Sequence, residues 1–297
     1  FEPTWPPTRL HEEGRSLADA SVRGADPAAA ADTLHVRGDV GVTGSIWCAA
    51  DLPFGEPWDQ RPDEAFSLVY DWPSREPLEI MGHPRVELTL TPSTPVAFVS
   101  AKLCDVAPDG TSALVTRGIL NLTHRDSHEE PERLVPGERV STTVELDATS
   151  YVFEPGHTMR LDLAGSDFPS SWPPPLAGAI EIDRAGSALV LPVLDGPPLL
   201  PAPVFEPGQP EPSRPERVRW AIGEDVLARE RTVTIDHGGV RGRTGLAQSS
   251  DRYWGEIGVR SHEPGVCRAT AGASLELGWD EASVKAEAWA TLRSDPQ

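Results

Sequence analysis

Between His124 and Glu130 the chain reads His-Arg-Asp-Ser-His-Glu-Glu, which gathers a serine, two histidines and acids within one short run. Those residue types could supply a serine nucleophile with its base and orienting acid, or ligands for a metal. A triad, however, needs groups that converge from separate elements, and neighbours in one extended loop point apart. The run is expected to be a solvated loop, with metal binding as the second reading. Replacing both histidines with alanine is expected to leave activity of any parent enzyme intact.

Other candidates are weaker. His157 follows Pro155-Gly156 and opens a strand, where it is expected to fix the turn by bonding to loop carbonyls. Asp105 and Asp109, beside Pro108, suggest a calcium loop but lack the further oxygen ligands of one, so a turn with aspartate accepting from backbone amides fits better. Asn121-Leu122-Thr123 matches a glycosylation sequon, a pattern common by chance. Cys48, Cys104 and Cys267 are far apart without CxxC spacing, which indicates neither a zinc site nor a disulfide framework. No GxSxG, GxxxxGK[ST] or HExxH is present, and Gly38, Gly41 and Gly44 do not form GxGxxG. No catalytic, cofactor-binding or metal-ligating residue is assigned.

Trp5, Trp58, Trp72 and Trp172, four of nine tryptophans, lie near proline in expected loops. The favoured reading is that their rings bury loops against a sandwich or a neighbouring domain. The rival is a stand-alone carbohydrate-binding β-sandwich module, which would use exposed rings as sugar platforms.

The formal net charge of -20 argues against nucleic-acid partners and anionic membrane surfaces, both of which need clustered cations. No run approaches the roughly 18 apolar residues of a spanning helix, and the three separated cysteines fit reduced thiols in a cytoplasm. The chain opens on Phe rather than Met, so its natural amino terminus is expected elsewhere.

The elements that must position these residues are strands. Val86, Leu88 and Leu90 alternate with Glu87 and Thr89, and Val140, Thr142, Val144 and Leu146 alternate with Ser141, Thr143 and Glu145. Similar runs occur at 99–103, 159–163 and 180–182, with turn formers at Pro108-Asp109-Gly110 and Pro136-Gly137. One face of each strand is expected to be buried and the other wetted. Eight prolines between Gly196 and Arg217 exclude helix and central strand there. The expected class is all-β: an extended lead-in over 1–60, with a short helix opening at Ala28 to Ala31, a jelly-roll β-sandwich over 61–195, a proline-rich linker over 196–217 and a smaller β extension, expected to be truncated, over 218–297.

An ordered set of motifs resembles the CocE/NonD hydrolases, which include X-Pro dipeptidyl-peptidases, cocaine esterase and related acylases. It begins with Asp59-Gln60-Arg61-Pro62-Asp63-Glu64-Ala65 and Leu78-Glu79-Ile80-Met81-Gly82-His83-Pro84. It continues with 102–110, Gly118 to Arg125, Pro136-Gly137 and Phe153 to Leu161, within about Trp5 to Val193. Thr158 and Met159 depart slightly from the family pattern. The resemblance is to the non-catalytic, galactose-binding-like jelly roll that follows the α/β-hydrolase domain. It implies a scaffolding role, an α/β-hydrolase catalytic domain as partner, and acyl transfer to water through an acyl-serine in the parent enzyme. The isolated chain is expected to be inert and, through an uncovered apolar patch, prone to form a homo-oligomer.

Overall fold

The computed structural model describes residues 2–22, 26, 29–44, 59–197, 200, 201, 204, 213–241 and 247–294. The first 35 residues supply β1 (Leu10–Ser16), β2 (Ser21–Val22) and β3 (Ala31–His35). A single-turn helix α1 (Arg61–Glu64) precedes β4 (Leu68–Pro73), β5 (Leu78–Gly82), β6 (Arg85–Pro92), β7 (Phe98–Val106) and β8 (Ser112–Asn121). The sandwich is completed by β9 (Val140–Glu145), β10 (Thr149–Phe153), β11 (Thr158–Ala164), β12 (Ala179–Asp183) and β13 (Ala188–Leu194). Five longer strands follow: β14 (Ser213–Asp225), β15 (Glu230–Arg241), β16 (Gln248–Arg260), β17 (Glu263–Gly278) and β18 (Ser283–Ser294).

Two antiparallel sheets face each other. One runs β10-β5-β13-β6-β12-β3, with β1 also on β13 and β9 also on β6; the other runs β2-β4-β11-β7-β8. Their inner faces meet in a core that includes Leu88, Leu90, Leu103, Leu161, Ile180 and Leu189, all at most 1% exposed. Burial of each such side chain contributes about 1.5–3 kcal/mol before entropy is counted. Where β8 crosses β9, Gly118 is the only residue type that fits. A Cβ there would overlap the Glu145 carbonyl oxygen.

The lead-in is therefore woven into both sheets rather than laid over them. Of the helix expected at Ala28 to Ala31, Ala28 lies outside the described residues and Ala31 instead opens β3. Period two correctly marks the strands, but its reading of one wetted face fails for β7 and β11, where Ser100, Lys102, Cys104, Arg160 and Asp162 are buried as well. Residues 39–44 and 59–66 cover that outer face, a long-range arrangement that local alternation does not encode.

β14 to β18 form a third sheet, an up-and-down meander in sequence order. Its antiparallel register puts Val233, Ile235, Tyr253, Ile257, Ala271, Ala273, Ala288 and Ala290 on one face, and Asp236, Arg252, Trp254, Glu256, Glu287 and Trp289 on the other. The apolar face meets the sandwich through Val233, Val259 and Cys267, which pack on Val42 and Phe168. Asp39 secures this joint. It accepts two hydrogen bonds from Arg37 (3.0 and 2.9 Å) and one from the Ser261 hydroxyl (2.9 Å), with Arg231 at 3.4 Å.

Candidate functional site

The densest polar constellation is a buried ionic layer between the outer face of β7, β8 and β11 and the covering segments. The Lys102 Nζ donates to Gln60 Oε1 and Asp63 Oδ2, each at 3.1 Å, and lies 3.9 Å from Asp167. Arg117 reaches Asp167 at 3.3 Å and donates to the Gly44 carbonyl at 3.0 Å. Arg160 forks onto Asp71 (2.7 and 2.8 Å) and donates to Glu64 at 2.5 Å. Asp63 closes the strap by accepting from the Thr43 amide at 3.1 Å and from its hydroxyl.

The electrostatics are those of a sealed network. Burial opposes charge on Lys102, yet Asp63 and Asp167 outweigh it and hold its pKa above the ordinary value. For Asp162, burial and nearby Glu64 push the pKa well above the carboxylate range despite Lys102 and Arg160. The fold thus favours the protonated acid at Asp162, and burial also raises Asp167 despite Lys102 and Arg117. Burial also raises Cys104, whose thiol donates to Asp162 at 3.6 Å, so this sulfur is no nucleophile. Such an arrangement holds the covering segments in place and has no access for a substrate. Sequence reasoning did not single it out; the available signal was charged residues at alternate positions of otherwise apolar strands.

The residues considered from sequence are placed apart. His124 ends the 3-10 turn Leu122–His124 and is half-buried, His128 is exposed on the loop that follows, their ring centroids are 5.6 Å apart, and the Ser127 hydroxyl is occupied in accepting from the Glu129 and Glu130 amides at 3.2 and 3.1 Å. Among the described residues no group of three or more histidine, cysteine, aspartate or glutamate side chains could hold a metal. His157 does fix its turn, but through Asp105, whose carboxylate its Nδ1 meets at 2.9 Å, and not through loop carbonyls. Asp105 also accepts from the Tyr151 hydroxyl at 2.8 Å, tying β10, β11 and β7 together. Asp109 accepts from the Thr111 amide at 2.9 Å, as a turn aspartate does. Asn121 turns its side chain onto Thr123. Trp72 is buried in the core and Trp5 and Trp172 are partly or largely exposed, while Trp58 and Cys48 lie outside the described residues. Cys104 and Cys267 are free and buried.

A concavity of about 600 Å³ lies on the apolar face of the third sheet. Trp220, Tyr253 and Ile257 wall it, Ala271 and Ala288 floor it, and Pro169 closes it from the sandwich side. It is of ligand or partner size.

The model of the X-Pro dipeptidyl-peptidase C-terminal non-catalytic domain matches residues 2–197. A Mycobacterium bovis protein named, provisionally, as a serine esterase is 30% identical over 196 residues, covering 55% of this chain and 30% of the relative. Cocaine esterase of a Rhodococcus species is 33% identical over 116 residues, 38% of this chain and 20% of that protein. An aminopeptidase structure from a marine sediment Thaumarchaeota archaeon superposes with a TM-score of 0.56 at 21% identity, over 65% of this chain and 38% of that one, a likeness of fold. The chain thus spans less than a third of the length of these curated relatives.

Proposed function

Because the chain belongs to the family of X-Pro dipeptidyl-peptidase C-terminal non-catalytic domains, we propose that it is the accessory β region of a CocE/NonD-type serine hydrolase. In this reading it braces an α/β-hydrolase domain and closes one side of that domain's substrate cleft. The parent cleaves a peptide, amide or ester bond through an acyl-serine intermediate in the cytoplasm. The chain by itself is inert. We divide it into a galactose-binding-like jelly roll, to which the lead-in over 1–60 contributes strands, a proline-rich linker and a β extension.

The family match over the sandwich carries the proposal. The open apolar face of the third sheet supports it, because a surface with Ile222, Leu275 and Leu292 each close to half exposed fits contact with another domain or a second copy of the chain. A serine-reactive fluorophosphonate probe tests the reading. The 297-residue chain should show no labelling that heat denaturation abolishes, whereas a longer native gene product captured with an antibody against this chain should show it. Heat-sensitive labelling of the 297-residue chain overturns the accessory role.

A further inference from the structure

The polar face of the third sheet carries a feature that neither the family match nor the sandwich accounts for. In the register of β15 to β18, Asp236, Trp254, Gly272 and Trp289 form one row across four neighbouring strands. Gly272 is bare because the Trp254 indole lies over it: a Cβ at 272 would overlap the ring. The indole therefore lies against the bare Gly272 backbone, and the Arg252 guanidinium stands over its ring. Trp289, on the far side of Gly272, is 81% exposed. Two strand spacings separate the Trp254 and Trp289 backbones, about 9.5 Å. That is close to the length of a disaccharide.

The surroundings match the rings. Arg252 stands 4.9 Å from the Trp254 ring centroid and is pinned by two hydrogen bonds to Asp236, at 3.0 and 2.9 Å. Lys285 pairs with Glu287 at 2.9 Å. A shallow cavity of about 330 Å³ beside Trp254 is lined by Gly238, Arg252, Ser274, Glu276, Lys285 and Glu287. Its cations are already matched by carboxylates, and the chain bears a net charge of -20, so an anionic ligand is disfavoured. An exposed indole at Trp289 beside fixed donors and acceptors suits a ligand with apolar C–H faces and hydroxyl edges.

We propose that this face binds a neutral polysaccharide chain, with one sugar ring stacked on Trp289, the next lying beside the Trp254–Arg252 pair, and hydroxyls bonded to the Arg252, Glu276 and Glu287 side chains. This site differs from the loop tryptophans considered from sequence and stands independently of the hydrolase reading.

The test is affinity electrophoresis of the 297-residue chain in gels containing hydroxyethylcellulose, soluble xylan or glycogen, followed by calorimetry with the hexasaccharide of any retarding polymer. At least one polymer should retard the chain. Trp289→Ala, which removes an exposed ring and should leave the thermal transition unchanged, should weaken binding about tenfold, the loss of one stacking contact. Gly272→Ala should weaken it by lifting the Trp254 ring, while Leu292→Ser on the opposite face should not alter it. Absence of retardation in all three polymers, or binding that persists undiminished in Trp289→Ala, overturns the proposal and leaves Trp254 as a cover for Gly272 only.

Discussion

The ammonium of Lys102 lies 3.1 Å from the carboxylate of Asp63, joining the second sandwich sheet to the single helical turn at 61–64 that covers it. Both side chains are at most 5% exposed, so water scarcely screens the pair and both charges have given up their hydration. A buried ion pair is expensive to assemble and more expensive to break.

Lys102→Met should destabilise the chain by about 3–5 kcal/mol, because it leaves Asp63 buried without its cation and Asp167 with Arg117 alone. Adding Asp63→Asn should recover part of that loss, since the second change removes one stranded charge. Urea denaturation of the two single variants and the double variant gives the coupling energy; strict additivity would show that the pair does not hold the strap.

Asp162 makes stability depend on pH in a defined direction. Its folded pKa is raised by burial and by Glu64, so the fold favours the protonated acid. The contribution is fully present below the ordinary carboxylate value of about 3.9 and is lost as pH rises from there toward the raised folded value. Asp162→Asn, uncharged throughout, should remove that slope and gain on the wild type as pH increases. Denaturation curves at pH 5 and pH 8 check this, and an equal slope in both proteins would contradict it.

Asp39 has the opposite sign. Burial works against its charge, but Arg37, Ser261 and Arg231 outweigh burial and hold its pKa below the ordinary value. Its contribution is present above that value and is lost as pH falls through the folded pKa. Asp39→Asn should loosen the joint between the sandwich and the third sheet at neutral pH, seen as faster hydrogen exchange in β15 and β16. Exchange unchanged there, with the sandwich also unchanged, would place the joint's strength in the Val42 and Phe168 contacts instead.

Histidine substitutions should separate along the same physical line. His157→Ala removes a partner of buried Asp105 and should cost about 1–3 kcal/mol. His124→Ala with His128→Ala, one half-buried at the end of a short turn and one exposed, should stay within about 0.5 kcal/mol of the wild type in thermal denaturation.

By itself the sequence determined many of the sandwich strands and the family. Alternation at Val86-Leu88-Leu90 and Met159-Leu161-Leu163 is local, because successive residues of any strand point to opposite faces, and the ordered motifs from Asp59 to Leu161 needed no coordinates. Period two says which residues share a face but not what lies upon it. Only the tertiary structure decided that the face with Lys102, Cys104 and Asp162 is sealed beneath 39–44 and 59–66. The same holds for Asp105, which meets His157 across a strand pair, 52 residues distant in the chain. Trp254, Gly272 and Trp289 form one row for a related reason: strand register is set by long-range pairing, and no local pattern in the chain records it.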